Sequence, residues 1–325
     1  MKNQAQSKSP KIVFFGTSQF AVPALKSLIN FGYNIVAAIT QPEKPVGRAR
    51  VVMPSPVKKV ATENHISIFE PHNLRKDEKF FEEFKSLNPD LCIVAAYGKI
   101  IPSRYLEIPK FGFLNIHPSL LPKYRGPSPI QTAIMYGDKE TGVTIIKMDE
   151  QADHGPIISI VKHRVSNNRN YKEVEEDLAK LGAELVIDTL PKYIAGEIKP
   201  KEQDHSKATF TKLITREDGR IDWDKTAEEI YNQIRALNPE PGTWTKWKGK
   251  ILNILEADYL DVQLPSNLEA ERPSPSTVAK VDNKIAIVTS KCYLILKQIQ
   301  LEGGKEMDAK AFINGHPDFL NSILE

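Results

Sequence analysis

Residues 11–39 read KIVFFGTSQFAVPALKSLINFGYNIVAAI. The apolar run Ile12-Val13-Phe14-Phe15 stops at Gly16, as a short buried strand does at a turn. From residue 20 to 31 the spacing changes, and Ala21, Leu25, Leu28 and Ile29 fall on one side of a helix. Residues 33–39 return to a β-rich run. A strand, a helix and a second strand in so short a span form a β-α-β unit, whose strands lie parallel in one sheet.

The same alternation continues outward. Pro54 and Pro56 precede a helical stretch to about residue 64, because proline suits a helix's first turn. Strands are predicted at 65–69, 90–97, 112–117, 141–148 and 156–165, with a helix at 77–87. A long helix from 171 to about 190 carries Val174, Leu178, Leu181, Leu185 and Ile187, and Pro191 is expected to end it. These units predict an α/β domain, a Rossmann-like, mostly parallel sheet with helices on both faces. A polar stretch, 196–212, with Lys199, Lys201, Lys207 and Lys212, has the composition of a linker. Beyond it one helix, 225–237, precedes short strands at 243–247, 251–260, 277–281, 285–289 and 293–301, the pattern of a smaller β-barrel. The expected partition is a disordered lead over 1–10, a first domain over 11–197, a linker over 198–212 and a second domain over 213–325.

Composition removes whole classes. Across 325 residues, 41% are hydrophobic and 26% charged, as in soluble globular proteins. No apolar stretch approaches the ~18–20 residues of a membrane helix, and the polar N-terminus lacks a signal peptide's apolar core, so no membrane partner and a cytoplasmic location are expected. Cys92 and Cys292 sit apart in apolar runs and read as buried free thiols. With no CxxC or HExxH spacing, no metal is expected. Gly16 has no glycine partner at 18 or 21, which argues against a dinucleotide site and hence a nicotinamide oxidoreductase. The net charge is +3, with residues 206–325 slightly acidic, so local basic clusters matter more than the total.

Asn115-Ile116-His117-Pro118 carries the chemistry. Residues two apart on a strand face the same side, so Asn115 and His117 project together, and Pro118 ends the strand. In open parallel sheets ligands sit beyond the strands' carboxyl ends. The proline-bounded loop 119–129 can wall a pocket for a flat, partly apolar ligand. Residues 149–156 follow the next predicted strand, and Asp153 is the candidate acid reaching the same edge. An amide to stabilise an oxyanion, an imidazole to move a proton and a carboxylate to orient it suit acyl-type transfer to an external nucleophile.

These residues resemble the folate-dependent formyltransferases, and the resemblance covers residues 11 to 316. Asn115-Ile116-His117 and residues 119–126 are similar to the family signature, and 149–155 to its acidic loop. Gln41-Pro42-Glu43-Lys44-Pro45-Val46-Gly47-Arg48 and Met53-Pro54-Ser55-Pro56-Val57-Lys58 resemble the inserted loop of the branch that formylates methionyl-tRNA. Residues 218–223 and 234–239 resemble the start of its C-terminal domain, an OB-like barrel in the family.

The resemblance implies transfer from 10-formyltetrahydrofolate, as cosubstrate, to the α-amine of methionyl initiator tRNA by a monomer. It assigns Asn115 to the formyl oxygen, His117 to the amine proton or the tetrahedral intermediate, and Asp153 to orienting His117. Ser119, Leu120, Leu121 and Pro122 match the folate-contacting loop, and Tyr97 and Gly98 are expected to border that pocket. Arg48 matches the loop arginine that selects tRNA, with Arg50 and Lys44 beside it and Lys58 and Lys59 close in sequence. Trp244, Lys246, Trp247, Lys248 and Lys250 form a second basic-aromatic run, readable as a tRNA contact or as barrel core. Gln151 stands where the family commonly has glycine. The same motifs admit an amino-sugar nucleotide as acceptor, and a tRNA-binding protein without catalysis is the reading of a different class.

Overall fold

The structure, a computed structural model, describes residues 9–46, 51–260 and 273–325. Most of the polar lead therefore lies outside the described residues, as do Arg48 and Arg50. By its contacts the chain divides into two units. The first holds the chain up to Pro129, Glu140–Arg164 and Val174–Thr211; the second holds Ile130–Lys139, Val165–Glu173 and Lys212–Glu325.

The first unit is built on β1 (Lys11–Gly16), α1 (Val22–Asn30), β2 (Asn34–Ile39) and a two-stranded ribbon, β3 (Lys44–Val46) with β4 (Val51–Met53). Then come α2 (Pro56–Glu63), β5 (Ser67–Phe69), α3 (Glu78–Leu87), β6 (Leu91–Ala95), α4 (Ser103–Leu106) and β7 (Phe113–His117). Past α5 (Pro129–Met135), which from Ile130 on belongs to the second unit, β8 (Glu140–Lys147) and β9 (Ile157–Arg164) complete the sheet, and α6 spans Tyr171–Ile194, in this unit from Val174 on. The starts of α2 and α3 follow from side-chain chemistry: Ser55 and Asp77 accept the N–H groups of Lys58 and Phe80, donors that the helix cannot satisfy itself.

The seven strands run in the order β5-β2-β1-β6-β7-β8-β9. The first five are parallel, whereas β7–β8 and β8–β9 are antiparallel. The strand order reverses between β1 and β6, which opens a crevice at their carboxyl ends. Gly16 is required there: a Cβ would stand 2.7 Å from Phe14 Cε1 and 2.9 Å from Ala21 Cβ. Under the sheet Phe15, Phe84, Tyr97, Tyr105 and Phe113 form a buried aromatic core with tilted and edge-on contacts. Such pairs add to simple area burial.

Two expectations need correction. Pro191 does not end the last helix of this unit, since α6 continues to Ile194. Proline removes its own N–H but keeps its carbonyl, which accepts from Ala195 N at 3.0 Å. The strand before the acidic loop is antiparallel, so its carboxyl end lies beside the start of β7, with Lys147 opposite Leu114. The loop leaves at that end and folds back to meet Asn115.

The second unit contains α7 (Ala227–Leu237), opened by a Thr226–Glu229 capping box. Its strands are β10 (Thr243–Trp247), β11 (Lys250–Leu260), β12 (Val278–Val281), β13 (Lys284–Val288), β14 (Tyr293–Leu301) and β15 (Met307–Asp308), followed by α8 (Ala309–Gly315). All pair antiparallel in the order β10-β11-β14-β13-β12, with β15 on β14. The two outer strands do not remain open. Val278 N donates to Ser322 O and Asn321 N to Val278 O on the β12 side, while Lys246 and Glu325 exchange two backbone bonds on the β10 side. Residues 321–325 thus bridge both edges and close the barrel that the strand pattern predicts. Arg235, buried on α7, explains two excursions of chain into this unit: it donates to Ile134 O and Arg169 O.

Leu324, 3% exposed, is the closing tail's apolar anchor in the barrel core. Leu324→Ala is expected to destabilise this unit by about 2–5 kcal/mol. Chemical denaturation checks this, and an unchanged midpoint would show that closure adds nothing.

Candidate active site

His117 is the last residue of β7, and Asn115 lies two positions before it on the same face. Asp153 joins them from the loop between β8 and β9. Its Oδ1 accepts Asn115 Nδ2 at 3.1 Å and stands 3.4 Å from His117 Nδ1. Its Oδ2 accepts the backbone N–H of Gly126 at 2.8 Å. The structure therefore brings the three sequence candidates together.

The partners also fix atom roles. His117 Nε2 lies 3.0 Å from Tyr124 O, and a carbonyl can only accept. Nε2 therefore carries hydrogen, and Nδ1 is the nitrogen left for proton exchange. Asn115 Nδ2 has two hydrogens, and only one is used by Asp153 among the described residues. The other remains for an oxygen placed against the cluster.

The loop after His117 is pinned from within. Ser119 Oγ donates to Lys123 O at 2.6 Å, while Thr144 Oγ1 donates to Ser119 O and accepts Leu121 N. Ser119 and Leu121 are buried; Leu120 and Pro122 are half-buried. The Ser119 hydroxyl is thus committed to the loop's own shape. Tyr97 adds backbone to the crevice, where its carbonyl accepts Thr17 Oγ1 and Gln41 Nε2. Its ring packs on Phe15 at 5.4 Å, and burial pushes the phenol pKa up, so the side chain belongs to the core. Gly98 has φ +74°, and a Cβ there would stand 2.6 Å from Gln41 Nε2.

Of the basic-loop residues, Lys44 lies in β3 while Arg48 and Arg50 fall between the described strands. Lys58 has a different place from the one its sequence cluster suggested. It bridges Glu43 at 2.8 Å and Glu70 at 2.6 Å, and those carboxylates hold its ammonium above the usual lysine range. Lys58 ties down the base of the loop. Of the second basic-aromatic run, the Trp244 and Trp247 rings are buried and belong to the barrel, while Lys248 and Lys250 are exposed. Cys92 and Cys292 are both buried and neither is in a disulfide.

Gln151 is exposed with its N–H on Asp149 Oδ1, and the left-handed position of this turn is Asp153, φ +50°. The turn therefore does not need glycine at 151. Sequence reasoning left out Arg125 and Gln203, both buried beside the cluster. Gln203 lies in the polar stretch read as linker, which is bonded to the first unit: Lys201 pairs with Ile157, and Thr209 and Thr211 with Arg125. Its composition is that of a connector, and only long-range bonds show its position. Among the described residues, no group of three or more His, Cys, Asp or Glu could hold a metal ion, and no helix is long and apolar enough to cross a membrane.

Residues 10–190 match the formyl transferase family and residues 213–317 the formyl transferase C-terminal domain. The chain is 38% identical over 316 residues to a methionyl-tRNA formyltransferase of Clostridium novyi, covering 97% of this chain and 100% of that protein. It is 42% identical over 307 residues to a protein of the same name from Halalkalibacterium halodurans, covering 94% of each. A solved N-formyltransferase of Helicobacter canadensis, in complex with folinic acid and dTDP-3-aminofucose, shares the fold at TM-score 0.67 and 18% identity, over 92% of this chain and 100% of that one.

Gly126, φ +110°, presents its N–H to Asp153, and a Cβ there would meet Thr211 O at 2.8 Å. Gly126→Ala is expected to cost about 1–3 kcal/mol through backbone strain. A melting curve identical to the wild type would contradict the required close approach.

Proposed function

The chain belongs to the formyl transferase family, and on that footing we propose that it moves the formyl group of 10-formyltetrahydrofolate to the α-amine of methionyl initiator tRNA. The product is N-formylmethionyl-tRNA for translation initiation, made by a cytoplasmic monomer. The observation that carries the chemistry is the Asn115–Asp153–His117 cluster. The acceptor rests on likeness, over nearly the whole length, to proteins named for methionyl-tRNA.

The amine attacks as the free base. A free α-amine has a pKa near ~7.7–8.0, and esterification of the carboxyl lowers it, so modest base assistance suffices. The amine nitrogen bonds to the formyl carbon, and the formyl oxygen gains negative charge. The spare Asn115 N–H is suited to that oxygen, a type of contact worth roughly 10²–10³ in rate. His117 Nδ1 takes the amine proton and returns it to the folate nitrogen as the carbon–nitrogen bond to the donor breaks. Tyr124 O holds the imidazole through Nε2–H, and Asp153 steadies the positive charge that the ring gains once Nδ1 is protonated. Residues 119–122, with Tyr97 and Gly98, would form the wall against the folate.

Arg48, Arg50 and Lys44 are assigned to the acceptor arm. Arginine makes bidentate phosphate and base contacts, and lysine adds a point charge. Anchoring of the loop base by Lys58, and of its start by Gln41 on Tyr97 O, supports a role in which the loop is presented to a large partner.

His117→Ala is expected to lower turnover about 10²–10⁴-fold while tRNA affinity stays within about twofold. Steady-state kinetics with methionyl-tRNA, paired with filter binding, measure both; a parallel loss of affinity would assign His117 to binding. Arg48→Ala should raise the KM for methionyl-tRNA and flatten the salt dependence of binding by about one counterion, with folate affinity unchanged. Equal weakening of folate binding would refute the placement of Arg48.

A further inference from the structure

We propose that Gln203, held in turn by Arg125, is a positioning residue that sets Asp153 against Asn115 and His117. This rests on the reading of Asp153 above. The starting observation is backbone shape. Asp153 has φ +50°, a region that residues with a side chain hold when their surroundings impose it. Gln203 supplies that constraint. Its Nε2 donates to Asp153 O at 2.9 Å and to Gly155 O at 2.7 Å, gripping the turn on both sides of His154.

The orientation of this amide is dictated by its partners. Gln203 Oε1 accepts Arg125 Nε at 3.2 Å and Nη2 at 2.7 Å. A guanidinium only donates and a carbonyl only accepts, so the oxygen must face Arg125 and the nitrogen the turn. Both hydrogens and both lone pairs of the amide are committed, and both side chains are buried. A fully satisfied buried network of this kind rigidifies what it holds.

Arg125 is fixed as well. Its backbone exchanges bonds with Thr209 and Thr211, and its Nη2 lies 2.8 Å from His205 Nδ1. The His205 ring stacks on His154 at 4.1 Å, and His154 Nδ1 lies 2.6 Å from Asp149 Oδ2. The neighbouring Gly126 N–H holds Asp153 Oδ2. Asp153 is thus gripped at its main chain by Gln203 and at its carboxylate by the residue after Arg125.

The choice of glutamine has a chemical reason. The buried Arg125 guanidinium meets neutral acceptors, Gln203 and His205, and no carboxylate among the described residues. A direct ion pair with Asp153 would draw the carboxylate away from Asn115 and His117. A glutamate at 203 would satisfy Arg125 but would aim a carboxylate oxygen at two carbonyl oxygens. Only a neutral amide can donate to the turn and accept from the guanidinium.

The test compares the wild-type full chain with Gln203→Glu, Gln203→Ala, Asp153→Ala and the Asp153→Ala/Gln203→Ala double variant in single-turnover formyl transfer to methionyl-tRNA. Both Gln203 variants are expected to lose about 10–10² in rate, the cost of misplacing a reacting group by about 1 Å. The KM values for both substrates should stay within about twofold. The double variant should be no slower than Asp153→Ala, because Gln203 acts through Asp153. If Gln203→Ala fails to fold, Gln203→Glu, which keeps the volume and a partner for Arg125, carries the test. Wild-type rate in Gln203→Glu, a loss expressed in KM, or additive losses in the double variant would overturn the proposal. Wild-type rate in Asp153→Ala would instead overturn the reading of Asp153 itself.

Discussion

One carboxylate joins the end of β7 and the loop that follows it to the β8–β9 loop. Asp153, on the β8–β9 loop, takes a hydrogen bond from Asn115 on β7, another from the Gly126 backbone, and stands beside His117. A half-buried carboxylate must be hydrogen-bonded, and each of these partners is itself held in place. The strand fixes Asn115 and His117. The 119–126 loop is tied by Thr144 from β8 and by Thr209 and Thr211 from the segment beyond α6. The sheet, the loop and that segment converge on a group of a few ångströms.

Much of this arrangement is legible in the sequence. Alternation on a strand placed Asn115 and His117 on one face, and Pro118 marked where β7 ends. The β-α-β run of residues 11–39 announced the parallel sheet, and short strands after residue 243 announced the barrel. Those signals are local, because period and turn chemistry act within a few residues. What escaped is long-range. The direction of β8 depends on its pairing with β7, and a strand pattern looks the same in either direction. Gln203 sits in a polar, lysine-bearing stretch, so nothing in its neighbourhood betrays that it is buried. The barrel is closed by residues with no strand periodicity, 321–325, whose backbone alone makes the bonds.

The basic loop illustrates a related limit. Lys44, Arg48, Arg50, Lys58 and Lys59 look alike as a charge cluster, yet Lys58 is half-buried and paired with both Glu43 and Glu70. Charge density in sequence therefore overstates the positive surface offered to a nucleic acid. Similarly, Trp244 and Trp247 lend an aromatic-basic appearance to β10 while their rings are buried.

The most direct measurement offers one preparation 10-formyltetrahydrofolate together with methionyl initiator tRNA and, separately, an amino-sugar nucleotide, and follows the labelled formyl group. Label is expected on methionyl-tRNA and none on the sugar. Label on the sugar alone would keep the Asn115–His117–Asp153 chemistry and contradict the acceptor, and tRNA binding without transfer to either would contradict the chemistry itself.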